Sequence, residues 1–188
     1  MRRTERRQAL LTAAAHAFAG GGFAGTSLDD IAAEAGVSRV LIYRHFDSKD
    51  QLYRAILDQT RDDLARATGA PDQLGPSSLQ ALIQVAQAHP DEFQLFFRHA
   101  SREPDFRAHA DWLRVAMTET ALPYLRPLLP DDRLRMWAAE LIPAATIEAI
   151  IAWLHAGCPA PERAAETIAA MIGAIIDAIR EASRAGEP

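Results

Sequence analysis

The segment TSLDDIAAEAGVSRVLIYRHFDSKDQLYRAIL, residues 26 to 57, holds three helix starts and one glycine turn. Ser27 followed by Asp30 has the acidic form of a capping box, opening a helix with Leu28, Ile31, Ala32 and Ala35 on its inner face. Gly36 supplies a backbone conformation that other residues tolerate poorly, so the chain can turn within a few positions. Ser38 caps the next helix, RVLIYRHF, and Ser48 with Gln51 forms another box that starts a longer helix through Leu52, Ile56 and Leu64. Helix, glycine turn and helix over residues 27 to 46 is the spacing of a helix-turn-helix, whose second helix enters the major groove of DNA. Short helices suffice for that job, because the groove is only about 12 Å wide. An ordinary helical hairpin also turns on glycine, so spacing alone leaves both readings open.

The rest of the chain reads as helical too. Thr4 can cap a first helix whose apolar residues Leu11, Ala14, Ala15 and Phe18 share one face, and Gly20, Gly21 and Gly22 end it. Residues 69 to 78, GAPDQLGPSS, are the expected flexible break. Helices are expected beyond it over about 76–89, 90–101, 104–128, 131–156 and 160–185. No strand alternation bounded by turn signals interrupts them, and the expected fold class is all-α. The last two helices are apolar around more than half their circumference, so each needs cover on two sides. One side faces the domain, while Ile147, Ile151, Leu154, Ile168, Ile172 and Ile176 are assigned to a four-helix interface with a second copy.

Composition narrows the class. The chain of 188 residues is 49% hydrophobic and 24% charged, as in globular proteins. Glu5, Gln8 and His16 interrupt the N-terminal apolar run, which argues against a signal peptide, and no 18 apolar residues run uninterrupted, so no membrane partner is expected. Cys158 is the only cysteine, which excludes an internal disulfide and a multi-thiolate metal site and fits a reducing cytoplasm. The net charge of −5 is unevenly spread: residues 1 to 50 hold seven Lys+Arg against six Asp+Glu, the remainder thirteen against nineteen. Arg2, Arg3, Arg6 and Arg7 on the first helix, with Arg39, Arg44 and Lys49 after the glycine turn, give a locally basic face on an acidic body, which steers toward phosphates.

The same segment, with GGF before it, resembles the DNA-binding region of the TetR (TetR/AcrR) family of transcriptional regulators. The matching residues are LDDIAAEAGV, Tyr43 and Phe46 in YRHF, and the SKDQL that begins the fourth helix; the resemblance covers roughly residues 4 to 57. It implies an N-terminal three-helix DNA-binding domain over 1–48 and a helical ligand-binding and dimerisation domain over 49–188, whereas composition alone would divide the chain near residue 70. It also implies roles. Arg39 and Val40 begin the recognition helix and face bases, with Arg39 able to bridge guanine O6 and N7 and Val40 to touch a thymine methyl. Arg44 is assigned to base or phosphate, and Tyr43, His45 and Lys49 to phosphate. Ser38 at the start of that helix joins the interface, and Thr26 and Ser27 lie where a hydroxyl and helix N-terminal amides can meet a phosphate. Asp29 and Asp30 are read as helix-start acids, and with Asp47 they lower DNA affinity.

A regulator of this kind needs a second site whose ligand changes the separation of two recognition helices, since half-sites lie about 34 to 36 Å apart or a multiple of that. An apolar cavity suits a small lipophilic ligand, and the expected walls are Phe93, Phe96, Phe97, His99, Trp112, Met117, Met136, Trp137 and Trp153. His99 and Glu103, four residues apart, offer a competing metal or enzyme reading with His109 nearby, but Pro104 interrupts the helix and no HExxH-like pair, nucleophile elbow or phosphate loop is present. The sequence therefore reads as a homodimeric repressor released from a double-stranded operator by a small molecule, without a metal or other cofactor and without catalysis. A helical DNA-binding dimer lacking a small-molecule ligand is the nearest alternative.

Overall fold

The computed structural model describes residues 3–69 and 76–185. Most of the expected break falls on residues 70–75, and Arg2 precedes residue 3; both lie outside the described residues. Nine α-helices form among those described: α1 Arg3–Gly25, α2 Leu28–Glu34, α3 Arg39–Tyr43, α4 Lys49–Thr68, α5 Pro76–Ala88, α6 Pro90–Gln94, α7 Arg107–Leu125, α8 Asp132–His155 and α9 Ala164–Ala185. The fold is all-α. Residues Leu95–His99 continue α6 as a π-turn and Ala100–Arg102 as a 3-10 turn.

The chain forms two compact units that are not contiguous in sequence: residues 1–63 with 89–110, and residues 64–88 with 111–188. The helix α4 begins in the first and ends in the second.

In the first unit α1 packs against α2, α6 and the π-turn. The glycine run bends α1 rather than ending it: Gly22 alone leaves helical geometry, at φ 70°, and the helix resumes to Gly25. Leu10, Leu11, Ala14, Ala15 and Phe18 form its buried face, as the spacing of its apolar residues predicts. Phe93 and Phe96 are also fully buried in this unit. An aromatic cluster closes it, with Tyr53 set edge-on to Phe18 and Phe23 at 5.0 Å each and 4.4 Å from the Phe106 ring. The Tyr53 hydroxyl is buried there with no hydrogen-bond partner, and burial pushes its pKa far up.

In the second unit α8 packs along α9, and α5 lies against both. Leu125, Leu129, Ala138, Ala139 and Ile179 form a core cluster. Pro143 sits inside α8, yet the helix runs unbroken from Asp132, whose preceding residue Asp131 caps it by accepting from the Leu134 amide at 2.8 Å. By length and composition α8 could cross a membrane. Ala138, Ala139, Ile147, Ile150 and Ile151 are among its residues buried within this unit.

That packing corrects the interface residues. Ile147, Ile151 and Ile168 are 8%, 0% and 5% exposed within the single chain, so they have no free surface to bury against a second copy. Leu154, Ile172 and Ile176 are half-buried, Ile172 beside a cavity and Ile176 against the core cluster.

Candidate nucleic-acid interface

The helix-turn-helix is built by local hydrogen bonds that its sequence dictates. The Asp30 amide donates to Ser27 Oγ at 3.1 Å, while the Ser27 amide and hydroxyl both donate to Asp30 Oδ2, at 2.8 and 2.6 Å. This reciprocal box starts α2, and the two bonds from Ser27, the hydroxyl's first, hold the Asp30 carboxyl below its ordinary pKa. Gly36 then adopts φ 63°, and the amides of Gly36 and Val37 close back on the carbonyls of Ala33 and Ala32 at 3.1 and 2.9 Å. Any side chain there would be held in the left-handed region, at a cost of about 1–2 kcal/mol.

Extended backbone at Ser38 leads into α3, a single short helix anchored by fully buried Ile42. With Ile42 turned inward, the neighbouring positions turn out. Val40 is 64% exposed and Tyr43 46% exposed, and Arg39 and Arg44 are exposed as well. Ser38 is exposed and its hydroxyl makes no cap bond, which leaves it able to meet a phosphate.

Arg39 is already organised. One terminal nitrogen donates to Asp29 Oδ2 at 2.8 Å, the other to the Tyr43 hydroxyl at 3.1 Å, and the guanidinium lies 5.5 Å from the Tyr43 ring centre. The Tyr43 hydrogen bond first, and the Asp29 charge second, raise the guanidinium pKa further. Of five N–H groups two are engaged, leaving three for a base edge or phosphate. Asp29, in the first turn of α2 as expected, also pairs with Arg39, while Asp30 completes the capping box.

Other expected contacts take different jobs. Thr26 is 4% exposed, and its hydroxyl donates to the carbonyls of Gly22 and Ala17 at 2.8 and 3.1 Å, closing the bend of α1. Its role is in the fold, not on a phosphate. Ser27 spends both hydroxyl and amide on Asp30. Lys49 donates its ammonium to the carbonyls of Phe23 and Thr26 at 2.7 and 3.0 Å and lies 4.4 Å from the Phe23 ring centre. The only lysine of the chain therefore ties the α1–α2 connection to the start of α4. At that start the Gln51 amide donates to Ser48 Oγ at 3.1 Å as expected, but the Gln51 side chain closes on Asp47 rather than on Ser48. His45 is half-buried beside Phe46, whose ring also carries the Arg7 guanidinium 5.2 Å away.

The lipophilic cavity is displaced from its expected walls. It lies in the second unit, has a volume of about 400 Å³, and is lined by residues of α4, α5, α7, α8 and α9, including Leu82, Met117, Ala121, Ile142, Pro143 and Ile172. Met117 alone was expected there. Phe93 and Phe96 are core residues of the first unit, where Phe97 is half-buried and stacks near both at 4.6 and 5.2 Å. Trp112, Met136 and Trp137 are exposed, at 41%, 48% and 54%. Trp153 is half-buried and donates its indole N–H to the Pro159 carbonyl at 2.8 Å. His99 is half-buried at the end of the π-turn in the first unit. Glu103 lies in extended backbone after the 3-10 turn, at ψ 116°, so the helical i, i+4 pairing with His99 does not form. Among the described residues no three His, Cys, Asp or Glu side chains are grouped to hold a metal.

Comparison with known proteins bears on the helix-turn-helix first. Residues 10–56 match the family model of bacterial regulatory proteins, tetR family. That stretch of the chain, α1 into α4, is similar to the DNA-binding region of the TetR family. It is 47% identical over 86 residues to the probable HTH-type transcriptional regulator ArpR of Pseudomonas putida, a match covering 43% of this chain and 41% of that one. Over 163 residues it is 29% identical to the HTH-type transcriptional activator FasR of Mycolicibacterium smegmatis, across 81% of this chain and 74% of the other. The matched region spans less than half the length of ArpR. A TetR-like transcriptional regulator from Rhodococcus sp. RHA1 shares the fold over the whole of both chains, with a TM-score of 0.70 at 22% identity. The TetR-family match centres on α1 to α4, where the caps and the glycine turn are.

Proposed function

We propose that the protein is a homodimeric transcriptional repressor that reads double-stranded operator DNA with α3 and releases it when a small molecule enters the cavity of the second unit. The observation that carries the DNA reading is the outward set on α3. Arg39, Val40, Tyr43 and Arg44 project from a helix held by one buried anchor, beside a turn that only glycine makes without strain. The family supports an operator as partner, a cytoplasmic location and the absence of catalysis. The ligand reading rests on the cavity.

Self-association is assigned to the exposed side of α8 and α9 rather than to the buried isoleucines. Trp137, Glu140, Ala144 and Glu148 on α8 and Ala170, Ala174 and Ala178 on α9 are exposed, and the small residues of α9 allow close helix approach.

Selection of bound fragments from a random duplex pool tests this directly. The expected product is a two-fold symmetric sequence, with half-sites separated by about 34 to 36 Å or a multiple. Recovery of no enriched sequence at low ionic strength contradicts it. Transcription from a promoter carrying that sequence then decides direction: repression is expected, and activation would place the protein with regulators such as the activator FasR.

A further inference from the structure

We propose that Asp29 is a specificity-determining residue acting through Arg39: it holds the guanidinium ready for a base edge and disfavours its capture by a phosphate. The inference rests on the DNA reading above and adds how one acidic side chain separates an operator from other duplexes.

The pair joins the two helices of the helix-turn-helix. Asp29 stands in the first turn of α2, and Arg39 is the first residue of α3. Their side chains are 66% and 50% exposed, and an ion pair so open to water adds little to the stability of a fold. What it does fix is the arginine. The 2.8 Å bond to Asp29 Oδ2, the 3.1 Å bond to the Tyr43 hydroxyl and the Tyr43 ring centre 5.5 Å away hold the planar head from both helices. An arginine held at its tip has less rotamer freedom left to lose when it meets a base. Asp30, one residue on, cannot take this part, because its carboxylate accepts both bonds from Ser27.

The charge matters as much as the geometry. A phosphate carries a full negative charge, so a phosphate oxygen taken up by Arg39 lies close to the Asp29 carboxylate and is repelled by it. Guanine O6 and N7 are acceptors on a neutral base and meet far less repulsion. The three N–H groups that Asp29 and Tyr43 leave open suffice for the two bonds a guanine accepts. Asp29 therefore weakens a contact that every sequence offers and keeps one that a single base pair offers. Discrimination then comes from making the wrong complex poorer as well as the right one better.

Fluorescence anisotropy over a range of salt concentrations tests this with three probes: the duplex enriched from the random pool, the same duplex changed at the base pair whose preference Arg39→Ala relaxes, and a scrambled duplex. Asp29→Asn and Asp29→Ala, with helix content by circular dichroism unchanged, are expected to tighten binding to the scrambled duplex by about three- to ten-fold. They are also expected to steepen its salt slope by about one per subunit, because each Arg39 is freed for a phosphate. The preference at that base pair, about five- to 150-fold for a bidentate guanine contact, is expected to shrink in both variants. In an Arg39→Ala background the same substitutions are expected to leave slope and preference where they were. A preference unchanged by both substitutions, a steeper slope that survives without Arg39, or the absence of any base pair that Arg39→Ala relaxes would overturn the assignment and leave Asp29 a helix-start acid, with the DNA reading intact. Enrichment of no duplex would remove the DNA reading and this inference with it.

Discussion

The α2–α3 pair and the α8–α9 pair are both helix pairs, but they show their outward residues for opposite reasons. In α2–α3 the helices are so short that a few buried anchors, Leu28, Ile31 and Ile42, fix which way every other side chain points. In α8–α9 apolar residues surround both helices, and burial within the subunit takes Ile147, Ile151 and Ile168, leaving Met136, Trp137 and the small residues of α9 outside. A short helix with few apolar residues announces its exposed face; a long apolar helix does not.

The sharpest way to break this contrast is to exchange the two roles in the second unit. Ile151→Ala is expected to cost about 2–5 kcal/mol of stability in urea titration, because the side chain is fully buried. Ala174→Glu is expected to leave helix content intact and shift the dimer to monomer by analytical ultracentrifugation. A monomeric but stable Ile151→Ala protein would return that residue to the interface.

Within the first unit, Lys49 distinguishes a structural cation from a DNA contact. Lys49→Ala is expected to lose about 1.5–3 kcal/mol, the worth of hydrogen bonds to a charged group, with little change in the salt dependence of DNA binding. A salt slope reduced by about one, with the melting temperature unmoved, would restore it to a phosphate. Arg39→Ala should do the reverse, leaving stability unchanged while costing about 1–3 kcal/mol of preference at one base pair. Equal losses on all duplexes would contradict its base-reading role.

Tyr53 tests whether the aromatic cluster needs its hydroxyl. Tyr53→Phe is expected to stabilise the protein by about 1 kcal/mol in the same titration, since it removes a buried polar group without a partner. A loss of stability would reveal a partner for the oxygen.

The smallest effect concerns the α1–α6 contact. His16 Nδ1 lies 2.9 Å from Asp91 Oδ2, and Glu34 is 4.0 Å from its other nitrogen. The hydrogen bond to Asp91, then the charges of Asp91 and Glu34, raise the His16 pKa above 6.5. A raised histidine contributes stability that is complete below about pH 6.5 and is lost as pH rises through the folded value. The pair is exposed and the gain correspondingly small. His16→Gln is expected to flatten the melting-temperature difference between pH 5.5 and pH 8; an undiminished difference would assign it to other groups.

These residues also show how far the sequence could be read. The all-α fold, the Ser27–Asp30 box and the Gly36 turn were legible because their causes lie within three or four residues of one another. The exposure of Arg39, Val40, Tyr43 and Arg44 followed from the same short range. The bonds of Lys49 and Thr26 were not legible, because a cation or hydroxyl near a helix-turn-helix suits a phosphate, while their partners in the fold, up to 26 residues away, depend on the bend of α1 at Gly22. Asp29 stands in the first turn of α2 as expected, but its pairing with Arg39, ten residues on, had no local signal. The cavity was least legible. Phe93 and Phe96 could fill a core or line a pocket by composition alone, and the threonines that do line it carry no sequence signal beyond their i−4 backbone bonds.

Hydroxyl-radical footprinting on a duplex selected by the protein tests the central claim most directly. Two protected patches on one face of the duplex, about 34 to 36 Å or a multiple apart, are expected, with Arg39→Ala relaxing the preference at one base pair in each half-site. Uniform cleavage at low ionic strength, or a footprint indifferent to every outward residue of α3, would contradict the account.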